Sequence, residues 1–98
     1  MSGAGSDALF SAVATKVITD FSSDIDLLKV HPDGMSVAMD RAARRVRINS
    51  KGSGALAYVH PNGSTGTPTG LLDGETLYIQ VKKILASGTN VSSITVWW

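Results

Sequence analysis

The chain of 98 residues contains no cysteine. That excludes disulfide frameworks, thiolate metal sites and cysteine nucleophiles, and it leaves the redox compartment undetermined. The longest apolar runs are only a few residues, far short of the roughly 20 that a membrane-spanning helix needs, so no membrane partner is expected. Met1 to Ser6 carries neither a basic stretch nor an apolar core, so a secretory leader is not expected. Neither sign of charge is in excess: nine Lys and Arg stand against eight Asp and Glu, a net +1. A dedicated nucleic-acid binder carries a basic surplus large enough to displace many counterions, so no nucleic-acid partner is expected.

What remains is 43% hydrophobic residues with ten Gly and three Pro, the composition of one small globular domain. A chain of this size buries only roughly two thirds of its unfolded surface, which leaves a thin margin of stability. Assembly with other copies or with a larger partner is therefore plausible from the start. Composition divides the chain into an N-terminal arm, 1–24, and a body, 25–98. In the arm, Leu9, Val13 and Val17 are spaced for one helical stripe, but the β-branched Val13, Thr15, Val17, Ile18 and Thr19 disfavour a helix. The arm reads as an extended or partly helical segment packing on something else, or as a frayed terminus.

The body alternates with a period of two. Over Thr76 to Leu85, the residues Leu77, Ile79, Val81 and Leu85 share one face and Tyr78, Gln80, Lys82 and Ile84 the other, which predicts one strand. Ile94, Val96 and Trp98 alternate with Ser93, Thr95 and Trp97, and Val46 and Ile48 with Arg45 and Arg47. Further strands are predicted at Ala55 to Val59, at Ile25 to Val30 and at Met35 to Met39, with a helical turn as the alternative over Met39 to Arg44. Two segments share the pattern Val-His-Pro-Asx-Gly, at Val30 to Gly34 and Val59 to Gly63. Pro fixes φ and Asx-Gly accepts a reversal, so both are tight turns. Other reversals fall at Lys51 to Gly54, Asp73-Gly74 and Ser87 to Asn90, and Gly63 to Gly70 reads as a long exposed loop. Together these predict an all-β fold, a small antiparallel β-sandwich or barrel.

Catalytic chemistry has little to work with. His31 and His60 could bind a metal or exchange a proton, but each precedes Pro in a turn and no further His, Cys or paired carboxylates complete a site. There is no Gly-x-Ser-x-Gly elbow and no phosphate loop ending in Gly-Lys-Ser/Thr; Gly52-Ser53-Gly54 resembles one only in composition. The carboxylates do not follow a calcium-loop spacing. No enzyme activity, cofactor or metal is expected.

Features suited to contact are more evident. Arg41, Arg44, Arg45 and Arg47 form the one basic cluster, with Arg45 and Arg47 on the strand face opposite Val46 and Ile48. They read as a solvated face or as an interface, where the planar guanidinium meets carboxylates. Trp97 and Trp98 must face opposite sides of a terminal strand, so either one is an interface anchor or both lie in a two-sided core. With the arm aromatics, the candidate assembly residues are Phe10, Phe21, Arg45, Arg47, Trp97 and Trp98. A competing reading is a carbohydrate-binding module stacking sugars on Tyr58, Tyr78, Trp97 or Trp98.

The run Arg45-Val46-Arg47-Ile48-Asn49, then Gly52-Ser53-Gly54 and Ala55 to Val59, then Thr76 to Thr89 and an aromatic end, resembles small virion proteins of tailed phages. Among these it is most similar to the head-spike base proteins of gene-transfer-agent particles and related phage decoration proteins. The resemblance covers about half the chain, roughly residues 43 to 98, with a looser echo in Ser22 to Leu28. Asn90-Val91 replaces the usual small-residue turn, the loop after Gly63 looks long, and the arm before Ser22 has no counterpart. The resemblance implies a non-enzymatic capsid decoration or vertex spike-base subunit, with a tail or baseplate component as the alternative. Its partners would be copies of itself, the major capsid protein and neighbouring virion proteins, in a virion assembled in the bacterial host cytoplasm.

Overall fold

The structure, a computed structural model, describes residues 14–98. Eight strands follow in order: β1 Thr15–Ile18, β2 Ile25–Asp26, β3 Arg45–Ser50, β4 Tyr58–Val59, β5 Thr65–Gly66, β6 Thr76–Leu77, β7 Lys83–Ile84 and β8 Ser93–Trp97. They form two four-stranded sheets, ordered β1-β8-β3-β6 and β2-β7-β4-β5, with every pairing antiparallel. The all-β expectation therefore holds, and no helix occurs among the described residues.

The core follows from strand alternation. Ile18, Val46, Ile48, Ile94 and Val96 point inward from the first sheet and meet Tyr58 and Ile84 from the second, with Leu27, Val81 and Trp98 filling the cluster. No polar or charged residue is buried among the described residues, so folding incurs no desolvation cost for an ionised side chain.

Several sequence expectations are corrected. The Thr76 to Leu85 stretch is not one strand: β6 pairs with β3 in the first sheet, whereas β7 pairs with β2 and β4 in the second. Between them Val81 exchanges two hydrogen bonds with Ala43, of 2.9 and 2.8 Å. Leu77, Ile79 and Val81 keep the expected phase, but the next buried residue is Ile84, an odd number of residues on. That phase slip marks where the chain leaves one sheet for the other.

Ala55 to Ala57 precede β4 outside the ladder because side chains supply the bonds a neighbouring strand would give. Asn90 Oδ1 accepts from the Ala55 N–H at 2.7 Å and Thr89 Oγ1 from the Ala57 N–H at 2.9 Å. Strand β2 stops after Asp26, whose carboxylate accepts from the Leu28 N–H at 3.0 Å and closes an Asx turn. Met35 to Met39 is neither strand nor helix; Val37 is 61% exposed, and Asp40 takes a left-handed φ of 58°.

The Gly63 to Gly70 loop contains β5. Tyr58 pairs with Gly66 and Val59 with Thr65, closing a hairpin around His60-Pro61-Asn62-Gly63 in which Gly63 supplies φ +91°. The segment Thr15–Ile18, within the part read as an arm, is an edge strand paired to β8, in keeping with its β-branched content. Phe10 and the remainder of 1–13 lie outside the described residues.

Candidate functional site

Alternation in the first sheet leaves an outward face whose rows can be read from register. One row runs Thr15, Trp97, Arg45; the next runs Val17, Thr95, Arg47, Thr76. Continuing the β3–β6 register by one residue places Tyr78 across from Arg45. None of these positions carries a carboxylate.

Trp97 and Arg45 act as one unit. The guanidinium carbon of Arg45 lies 4.5 Å from the Trp97 ring centroid, a cation–π contact in which each side chain limits the other's freedom. Both are half-buried. Beside them Arg47 Nη1 donates to Asn49 Oδ1 at 2.8 Å, and Asn49 Nδ2 donates to Thr95 Oγ1 at 2.7 Å. This polar lattice holds the Arg47 fork in place on a rigid sheet. Around it stand Val17, 51% exposed, and Tyr78, 78% exposed.

The two tryptophans divide as pleating requires. Trp98 follows Ile94 and Val96 inward, is fully buried, and donates from Nε1 to the Leu27 carbonyl at 3.1 Å. Its ring is therefore enclosed by its own chain in this conformation. Phe21 packs partly buried against the core cluster, so its ring serves the fold. Of the six candidates, the structure brings Arg45, Arg47 and Trp97 together.

Sequence reading missed Tyr78 and Val17 as parts of this face. The signal existed in Tyr78, which shares strand parity with Thr76, but the pairing of β6 beside β3 could not be read from one strand alone.

Arg41 and Arg44 line a shallow surface cavity of about 290 Å³ with Ala42 and Gln80. Ala43, between Ala42 and Arg44, is pinned to Val81 beside it. The two ion pairs found among the described residues are Lys16–Asp33 at 3.8 Å and Lys29–Asp26 at 3.9 Å, so no arginine takes part in one.

At the opposite end of β1, Asp20 and Asp24 occupy the exposed connection to β2. Hydrogen bonds from Ser22, side chain and backbone, hold the Asp20 carboxyl below its ordinary 3.8.

The histidines are not brought into a cluster of metal-binding type. His60 Nδ1 donates to the Gln80 carbonyl at 2.8 Å and its ring stands edge-on to Tyr58, centroids 5.1 Å apart. His31 sits exposed in a different turn. Among the described residues no three His, Cys, Asp or Glu are grouped to hold a metal ion. For sugar stacking, Tyr58 and Trp98 are buried and Trp97 lies under Arg45, which leaves Tyr78 as the openly exposed ring of the four.

No known protein-family profile matches the chain, and no curated protein does. Among solved structures, it is similar to a chain in the capsid of a native gene transfer agent (GTA) particle computed with C5 symmetry. The two are 26% identical with a TM-score of 0.58, over 88% of this chain and 82% of the other. That similarity extends well beyond the half of the sequence carrying the recognisable run, and it supports a structural protein of a phage-like particle.

Proposed function

We propose that this chain is a non-enzymatic structural subunit of a phage-like particle, placed on the head as a decoration protein or vertex spike base, where it assembles with copies of itself. The observation that carries this reading is the similarity, over most of both chains, to a component of a GTA particle capsid. The outward face agrees with it. Trp, Tyr and Arg are the residue types most enriched at the energetic centres of interfaces, and here they stand side by side on a sheet. Small subunits of this kind gain their hold from many repeated weak contacts in a symmetric shell.

Immunogold labelling of purified particles with antibody to this chain tests the reading. Label on the head is the expected result. Label confined to the tail would make it a tail component, and particles free of the chain would overturn the proposal.

A further inference from the structure

We propose that identical copies associate head to tail, the arginine-bearing outward face of one copy taking the Asp20–Asp24 connection of the next. The inference deepens the reading above by naming the contact between copies, and it rests on that reading only for the occasion on which copies meet. Its ground is the way charge is distributed. The chain is near neutral, at +1, yet all four arginines fall between positions 41 and 47, and the segment 20–26 holds three aspartates and no Lys or Arg. Among the described residues no arginine has a carboxylate partner in its own chain.

Position makes the two patches complementary between copies. The Arg45 row lies at the Thr15 end of the first sheet, on its β3 and β6 side. Asp20 follows Ile18 at the other end, on the β1 edge, and Asp24 stands where the chain enters β2 of the second sheet. The Arg45 row and Asp20 thus stand at opposite ends of the first sheet, and no ion pair joins the two patches among the described residues.

A twofold contact of the outward face with itself would set Arg45 and Arg47 against their own copies, and like charges facing each other oppose association. The acidic corner of a neighbouring copy removes that repulsion. A contact between unlike patches is heterologous and generates either a closed ring or a filament. Tyr78, exposed across from Arg45, supplies the apolar anchor, and the guanidiniums supply the paired hydrogen bonds that carboxylates accept.

The test uses full-length protein in two variants, each with one patch disabled. Arg45→Glu with Arg47→Glu removes the basic face; Asp20→Asn with Asp24→Asn neutralises the acidic corner while keeping the Asn oxygen for the Ala86 N–H that Asp24 accepts at 2.8 Å. Circular dichroism first establishes that both fold. By light scattering, the unaltered chain is expected to form oligomers that weaken about tenfold or more between low and high salt. Each variant alone is expected to be monomeric, and an equimolar mixture to give a one-to-one dimer that grows no further.

A monomeric parent chain, self-association by either variant, or a mixture that stays monomeric would each overturn the proposal. Particles that incorporate the Arg45→Glu, Arg47→Glu variant at parental copy number would overturn this contact while leaving the particle role standing. Particles lacking even the parent chain would overturn that role instead.

Discussion

Two adjacent tryptophans show how far one residue step changes what a side chain does. Trp98 is enclosed and its indole N–H is satisfied by Leu27, so Trp98→Ala leaves a cavity and is expected to cost about 3–5 kcal/mol. That is a large share of the roughly 5–15 kcal/mol a domain possesses. Urea denaturation should show the midpoint falling steeply. Trp98→Phe keeps much of the volume but leaves the buried carbonyl without its donor, at about 1–3 kcal/mol. Trp97→Ala loses a cation–π contact of about 0.5–1 kcal/mol together with the covered part of a half-buried ring, so its midpoint should fall less than that of Trp98→Ala while self-association by light scattering declines. Gly66 is a third instance: a Cβ there would come within 2.8 Å of the Tyr58 ring across the hairpin. Gly66→Ala should therefore destabilise by about 1–3 kcal/mol through overpacking, read as a lower thermal midpoint. Which tryptophan turns inward was contained in the sequence, since Trp98 shares parity with Ile94 and Val96. That nothing in the second sheet covers Trp97 was not, because parity identifies a face and not what lies over it.

At the level of elements, β1 shows how a free sheet edge is protected. Asp33 donates its N–H to the Thr15 carbonyl at 2.7 Å and accepts the Val17 N–H on Oδ2 at 3.1 Å, occupying the positions a further strand would use. Exposed edges invite pairing with other chains. Asp33→Ala should cost about 1 kcal/mol, speed hydrogen exchange at the Val17 amide and increase aggregation on storage. The connection that follows β1 carries a pH dependence. Ser22 lowers the folded-state value of Asp20, so the unfolded chain holds that proton more readily. Stability from this carboxylate is present above the ordinary value of 3.8 and is lost as pH falls through the lower folded value. Asp20→Asn should flatten that part of the acid limb of a denaturation midpoint plotted against pH. The β3 and β8 strands were legible because six- and five-residue alternations leave little choice of register. The bounds of the two-residue strands were not, since Thr89, Asn90 and Asp26 replace ladder bonds with side-chain bonds that no alternation records.

For the molecule as a whole, the sequence contained a near-neutral charge and a recognisable run, while the polarity of that charge became meaningful only once topology separated residues 41–47 from 20–26. Salt should therefore act on assembly far more than on folding, because the core holds no buried charge among the described residues. Thermal midpoints at low and high salt should nearly coincide under conditions where the oligomer dissociates.

The passage of Thr76–Leu77 into Lys83–Ile84 through the Val81–Ala43 bridge adds something that packing alone would not provide. A covalent stitch of under ten residues joins the two layers, so neither can peel from the other without stretching it. A subunit built this way gives up its sheets together or not at all. Tension applied at one surface of a shell would pass through the backbone to the far layer instead of prising the sandwich apart.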